Sequence, residues 1–283
     1  MYKSNTIMLD AGHFAKCNQS PLVPEYWESE MTWKLHLLLK KELEEYGFIV
    51  GTTREDQTKD LDVVERGHKA KGYEIFISLH SNACGNPEDW YEGSPSERVD
   101  RPVIYVPYTQ PSECVQLASW IGEGIKDIME VSPYQIATRQ GSHGEWYGVM
   151  RGAAEVGCPM YFIIEHSFHT NKRAATWLLD KEEKNLQLLA EMEAAAIARY
   201  AGLEKQETYL VGDVNGDGKI NAVDYAMLKR IVLGTYKIKD DRMKQRADVN
   251  GDGKINSTDY AMLKRMVLGT YELPEDQKVR YYK

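Results

Sequence analysis

The chain has 283 residues, 42% hydrophobic and 28% charged, with a formal net charge of -8 at pH 7. No apolar run approaches the roughly 18 residues needed to cross a bilayer, and no clustered basic face exists to displace the counterions of a nucleic acid. A membrane-spanning protein and a nucleic-acid binder are both excluded, and a monomer is expected. The opening MYKSNTIMLDAGH lacks the basic, apolar and small-residue regions of a secretory leader, so either a leader was trimmed or export uses another route. Cys17, Cys84, Cys114 and Cys158 show no CxxC spacing and define no disulfide framework. Cys17 and Cys84 each follow a histidine of interest by four residues, which makes them candidate neighbours.

In chain order, TIMLD reads as a strand, MTWKLHLLLKKELEEYG as a helix, FIVGTT as a strand, LDVVERGHKAKG as a helix and EIFISLH as a strand. VIYVP is a further strand, SECVQLASWIGEGIKDIM a helix and PMYFIIEH a buried strand. ATWLLDKEEKNLQLLAEMEAAAIARYAG reads as one long helical stretch closed by glycine. This alternation predicts an α/β domain over residues 1–202, a twisted, mostly parallel sheet flanked by helices. LEKQETYL is short and polar, giving a linker over 203–209. A small all-α module is expected over 210–272, and the tail 273–283, without periodicity, is expected to fray in part.

Ligands of open α/β sheets bind beyond the carboxyl ends of strands. LDAGH puts His13 just past the first strand, FISLHSN puts His80 at the end of another, and FIIEHSFHTN puts Glu165, His166 and His169 at a third. Glu28 and Glu30 open the intervening helix. Two imidazoles and a carboxylate with one position open compose a catalytic zinc site, and a further carboxylate can serve as its base. The competing reading is that each histidine is only hydrogen-bonded to the chain.

LDAGH, an ExxxT opening a helix that ends LKKELEEYGF, then TTRE, FISLHSNA and FIIEHSFHTN together resemble the zinc-dependent N-acetylmuramoyl-L-alanine amidases of the amidase-3 group over most of residues 1–202. The resemblance implies that His13, Glu28 and His80 hold zinc and that Glu165 is the general base. It also implies that the substrate amide joins the lactyl group of N-acetylmuramic acid to L-alanine of peptidoglycan. Counting back from LKKELEEYGF selects Glu28, leaving Glu30 as a solvated first-turn residue. Phe14 stands where the family has glycine and Thr32 where it has asparagine; both bear on the shape of the groove rather than on the ligands. His143, His166 and His169 are candidates to orient a ligand or the base. His36 and His68 read as structural, and Arg54 as one half of a structural ion pair. The loop CGNPEDWYEGSPSERVDR is read as part of the groove wall.

Residues 213–236 recur as 248–271 with differences only at Ala222/Ser257, Val223/Thr258 and Ile231/Met266. Each copy reads DxNxDGxINxxD. The first offers Asp213, Asn215, Asp217, the Lys219 carbonyl, Asn221 and Asp224; the second offers Asp248, Asn250, Asp252, the Lys254 carbonyl, Asn256 and Asp259. Hard oxygens in this order select Ca²⁺, with glycine at the sixth position for the turn. Aspartate replaces the twelfth-position glutamate of an EF-hand, and each loop is read as having a helix after it and none before. The repeat resembles a type I dockerin, which implies a cohesin partner on a cellulosome scaffold and two structural calcium ions on which folding depends. By that resemblance, cohesin contacts fall on Ala222, Val223, Lys229 and Arg230 in one copy and on Ser257, Thr258, Lys264 and Arg265 in the other. One face is apolar and the other hydroxylated, so one preferred docking face is expected.

The expected protein is thus a cell-wall amidase, extracellular or wall-associated, carried on a docking module. Rival readings are a phage-type endolysin of the same chemistry, a non-catalytic wall-binding protein, and a zinc peptidase acting within the stem peptide.

Overall fold

The computed structural model describes residues 5–142, 144–205 and 207–282. They form two compact units, one ending at Lys205 and one beginning after it. The first unit runs β1 (Thr6–Ala11), α1 (Glu28–Glu45), β2 (Ile49–Thr52), α2 (Val63–His68), β3 (Ile75–Asn82), β4 (Val103–Tyr105), α3 (Ser112–Met129), β5 (Gln135–Ala137), β6 (Gln140–Gly141), β7 (Gly144–Glu145), α4 (Gly148–Glu155), β8 (Met160–Phe168), α5 (Lys172–Leu179) and α6 (Lys184–Ala201). Six strands make one sheet in the order β2-β1-β3-β8-β4-β5. β2, β1, β3 and β8 are parallel, while β4 runs antiparallel to β8 and parallel to β5. The mixed but mostly parallel sheet flanked by helices is the α/β fold expected from the sequence.

Strand alternation distributes the core over two faces. Ile7, Leu9, Ile75, Ile77, Leu79, Phe162 and Ile164 join a large cluster with α1, α3, α5 and α6. Met8, Phe76 and Ile163 join a smaller one with Val149, Met150 and Ala153 of α4. α2 and α4 pack backbone to backbone: a Cβ on Gly67 would lie 2.2 Å from the Val149 carbonyl, and one on Gly152 would lie 2.2 Å from that of Val64.

The single long C-terminal helix expected for this unit is instead two. Asp180 leaves helical geometry at φ 22°, and its Oδ2 accepts from Asn185 N (2.5 Å) and Leu186 N (3.0 Å), capping α6. Cys17 and Cys84 are free thiols.

The second unit contains β9 (Thr208–Leu210), α7 (Ala222–Val232), α8 (Asp241–Ala247), α9 (Ser257–Val267), α10 (Glu275–Lys278) and β10 (Val279–Tyr281). Two expectations are corrected here. The second loop does have a helix before it: Asp240 caps α8 by accepting from Met243 N, and Met243 and Ala247 are buried. The tail is held over its described residues, because β10 pairs antiparallel with β9, Leu273 is buried, and Arg280 donates to the carbonyls of Asp248 (3.0 Å) and Val249 (3.1 Å). β9 also takes in Thr208 and Tyr209 of the segment read as linker. No helix among the described residues is long and apolar enough to cross a membrane.

Candidate metal centre and paired acidic loops

β1 ends at Ala11, and at Gly12 close approach demands glycine: a Cβ would sit 2.5 Å from both the His80 ring and the Leu79 carbonyl. His13 follows in the left-handed region at φ 61°. It is held there by Arg54, whose Nη2 donates to the carbonyls of Ala11 (2.7 Å) and His13 (2.5 Å). Such strain, on the order of 1–3 kcal/mol, persists only where surrounding bonds over-determine it. Arg54 therefore binds carbonyls and not the acidic partner expected for it. Thr32, in place of the family's asparagine, is buried and donates to the Gly12 carbonyl at 2.8 Å.

Glu28 is the first residue of α1, and its own N–H donates to the Asn18 carbonyl at 3.0 Å. Its carboxylate, 1% exposed, accepts from Ser81 N (2.9 Å) and Asn18 Nδ2 (2.7 Å). It lies 2.9 Å from His80 Nδ1 and 3.3 Å from His13 Nε2. Donor atoms of His13, Glu28 and His80 all lie within 4.8 Å of one another, a group able to hold a metal ion. Burial alone would raise the Glu28 carboxyl, but the two histidines outweigh it and hold it well below the usual carboxylate range. Glu30 is exposed.

β3 and β8 pair His80 directly with Glu165, so the two side chains share one face of the sheet. Glu165 Oε2 is buried without a hydrogen-bond partner, and burial followed by the Glu28 charge pushes its carboxyl well above the ordinary value. His166 points to the opposite face. Its Nδ1 lies 2.9 Å from the His80 carbonyl and its Nε2 2.7 Å from Glu193 Oε1 on α6, both side chains fully buried. Burial opposes the charged imidazole, but Glu193 prevails and the His166 pKa is raised. His169 Nδ1 sits 3.0 Å from Ser81 Oγ and 3.9 Å from Glu28 Oε2, and its ring stacks on Tyr26. His143 lies outside the described residues. His36 is buried, which lowers its pKa to about 4, and His68 pairs with Glu155 at 2.7 Å.

Asn18, Tyr26, Ser81 and Glu193 escaped the sequence reading. Glu193 alone left a signal, an acidic residue on the apolar stripe Leu186, Leu189, Ala190, Ala194 and Ile197.

In the second unit both acidic loops wind around their first aspartate. Asp213 accepts from the N–H groups of Gly216, Asp217 and Gly218, and Asp248 from those of Gly251, Asp252 and Gly253. Lys219 N and Lys254 N donate to Asp217 and Asp252. Asn221 and Asn256 cap α7 and α9, and the fully buried Asp224 and Asp259 bond back across their loops. Burial, then the charges of Asp213 and Asp217, raises the Asp224 pKa; a cation at the loop would relieve that repulsion. Tyr225 and Tyr260 bond hydroxyl to hydroxyl where α7 packs on α9. Ala222, Val223, Lys229 and Arg230, and likewise Ser257, Thr258, Lys264 and Arg265, are exposed.

The first unit is thus an α/β protein with a candidate metal centre at its strand ends. The chain belongs to the N-acetylmuramoyl-L-alanine amidase family, whose model matches residues 7–199, and residues 211–268 match the type I dockerin domain. Cwp6 from Clostridium difficile is similar in structure at a TM-score of 0.58 and 20% identity, over 70% of this chain and 29% of that one. The catalytic domain of CwlV, an N-acetylmuramoyl-L-alanine amidase from Bacillus (Paenibacillus) polymyxa var. colistinus, aligns at a TM-score of 0.55 and 18% identity over 70% of this chain and 99% of its own. At these identities the likeness is one of fold. Endoglucanase B of Clostridium cellulovorans is 51% identical over 53 residues, which are 18% of this chain and only 12% of that protein.

Proposed function

We propose that this chain is a peptidoglycan hydrolase that cleaves the amide between N-acetylmuramic acid and L-alanine, with residues 1–202 as catalytic domain, 203–209 as linker and 210–272 as a calcium-dependent dockerin. One observation carries the reading: His13, Glu28 and His80 bring three donor atoms within 4.8 Å beside the unpartnered carboxyl of Glu165. Two imidazoles and an ionised carboxylate fit zinc by donor chemistry. A zinc ion held there supplies Lewis-acid activation of a water molecule and of the scissile carbonyl. Glu28 stays ionised, Asn18 and Ser81 orient it, and Gly12 lets the two histidines converge. In this reading Glu165, its carboxyl raised by burial and the Glu28 charge, takes a proton from water and returns it to the leaving nitrogen. The retained donors and the buried base favour an enzyme over a wall-binding protein that has lost its chemistry.

Two Ca²⁺ would bind the acidic loops, and the exposed starts of α7 and α9 with their Lys-Arg pairs would meet a cohesin on a scaffold, which puts the protein outside the cell or at the wall. Digestion of purified peptidoglycan tests the enzyme. New L-alanine amino termini, lost in Glu165→Gln, are expected; termini at other stem residues would indicate a peptidase instead.

A further inference from the structure

On the flank of the metal centre away from Glu165 lies a cavity of about 310 Å³, lined by His13, Phe14, Lys16, Trp33, Arg54 and Gln57. That is the lower end of the size range of small-ligand sites, roughly 300–1,000 Å³. Its unusual member is Arg54. The side chain is more than nine-tenths buried, its guanidinium lies 5.6 Å from the Phe14 ring and 5.7 Å from the Trp33 ring, and its Nε has no partner. Among the described residues no carboxylate lies within 4.0 Å of it. Asp10, the acid whose charge acts most on Arg54, is taken up by Thr53 (2.6 Å), Ser78 (2.6 Å) and Arg66 (3.5 Å). Burying a guanidinium with no carboxylate in contact is costly; burial lowers its pKa, and the charges of Asp10 and Asp60, acting without contact, offset this only in part. Lys16 adds a second cation to the cavity. Glu30, exposed at the same cavity, offsets one of the two, so the lining carries one net positive charge.

We infer that this cavity receives a carboxylate from the peptide half of the substrate, a reading that rests on the amidase function proposed above. The sugar half has no free carboxylate while its lactyl group is tied up in the amide. In the peptide half, the carboxylate closest to the scissile bond is the free α-carboxylate of a γ-linked glutamate following the L-alanine. Arg54 provides the planar donor group that suits such a carboxylate, Lys16 a second charge, and Phe14 the apolar wall that a glycine would not.

The test compares N-acetylmuramoyl-L-alanyl-D-glutamate γ-methylamide, whose one carboxylate is the α-carboxylate, with the corresponding α-carboxamide, N-acetylmuramoyl-L-alanyl-D-isoglutamine γ-methylamide, as substrates. KM for the acid is expected to be lower by roughly tenfold, and Lys16→Glu and Arg54→Gln are expected to drive the ratio toward one. Because Arg54 also holds the His13 carbonyl, a second measurement uses metal-stripped wild-type protein. The dipeptides L-alanyl-D-glutamate γ-methylamide and L-alanyl-D-isoglutamine γ-methylamide are titrated against tryptophan fluorescence, and the acid is expected to bind more tightly. Cleavage of both muramoyl compounds with equal KM would overturn the inference and leave the amidase intact. Tighter binding of the acid dipeptide with neither compound cleaved would uphold the cavity and sink the amidase.

Discussion

Glu165 shows what one buried carboxyl does to stability. Its folded pKa is raised by burial and by Glu28, so above its ordinary pKa the ionised form destabilises the metal-free protein, and the penalty fades as pH falls. Glu165→Gln removes that charge at constant shape. The metal-free variant is expected to melt above wild type at pH 8, with the gap closing toward pH 4, by differential scanning calorimetry. A gap of the same size at both pH values would refute the electrostatic account. At this scale the placement of a side chain was legible where a strand sets it, since His13 lies just past β1 and His80 and Glu165 lie in the carboxyl-terminal halves of β3 and β8. Asn18 was not legible, because it reaches Glu28 from an irregular loop with no periodicity to read. Arg54 was misread because TTRE suggests an ion pair, while the fold offers it the carbonyls of a strained turn.

Among the elements, β3 and α6 are joined by the buried chain His80 carbonyl, His166, Glu193. Removing one member of a buried ion pair strands the other, at a cost of about 3–5 kcal/mol. Glu193→Leu is therefore expected to destabilise by that order in urea unfolding, and adding His166→Leu to recover much of the loss. Additive losses would show that the pair is not a unit. In the second unit Arg280 of β10 grips two carbonyls at the start of the second loop, so Arg280→Gln is expected to weaken calcium binding there more than at the first loop, by isothermal titration. Equal weakening would contradict the grip. The strand rhythm of the first unit was legible because its apolar runs are long. β9, β10 and the α5–α6 break were not, since three-residue strands and a side-chain cap leave no periodic trace.

The whole chain carries two kinds of candidate centre with different donor chemistry, imidazole with carboxylate in one unit and hard oxygens in the other. Calcium chelation is accordingly expected to lower only one of two calorimetric transitions, that of the second unit, because its small core, nine buried apolar residues among those described, depends on the loops. A shift of both transitions would tie the first unit to calcium. The central claim, that His13, Glu28 and His80 together hold one zinc that the amidase requires, is tested most directly by elemental analysis of wild type, His13→Ala and His80→Ala alongside release of L-alanine termini from peptidoglycan. One zinc per wild-type chain, with metal and activity lost together in both variants, is expected. A wild-type chain that cleaves the wall without zinc, or variants that keep both metal and activity, would contradict it.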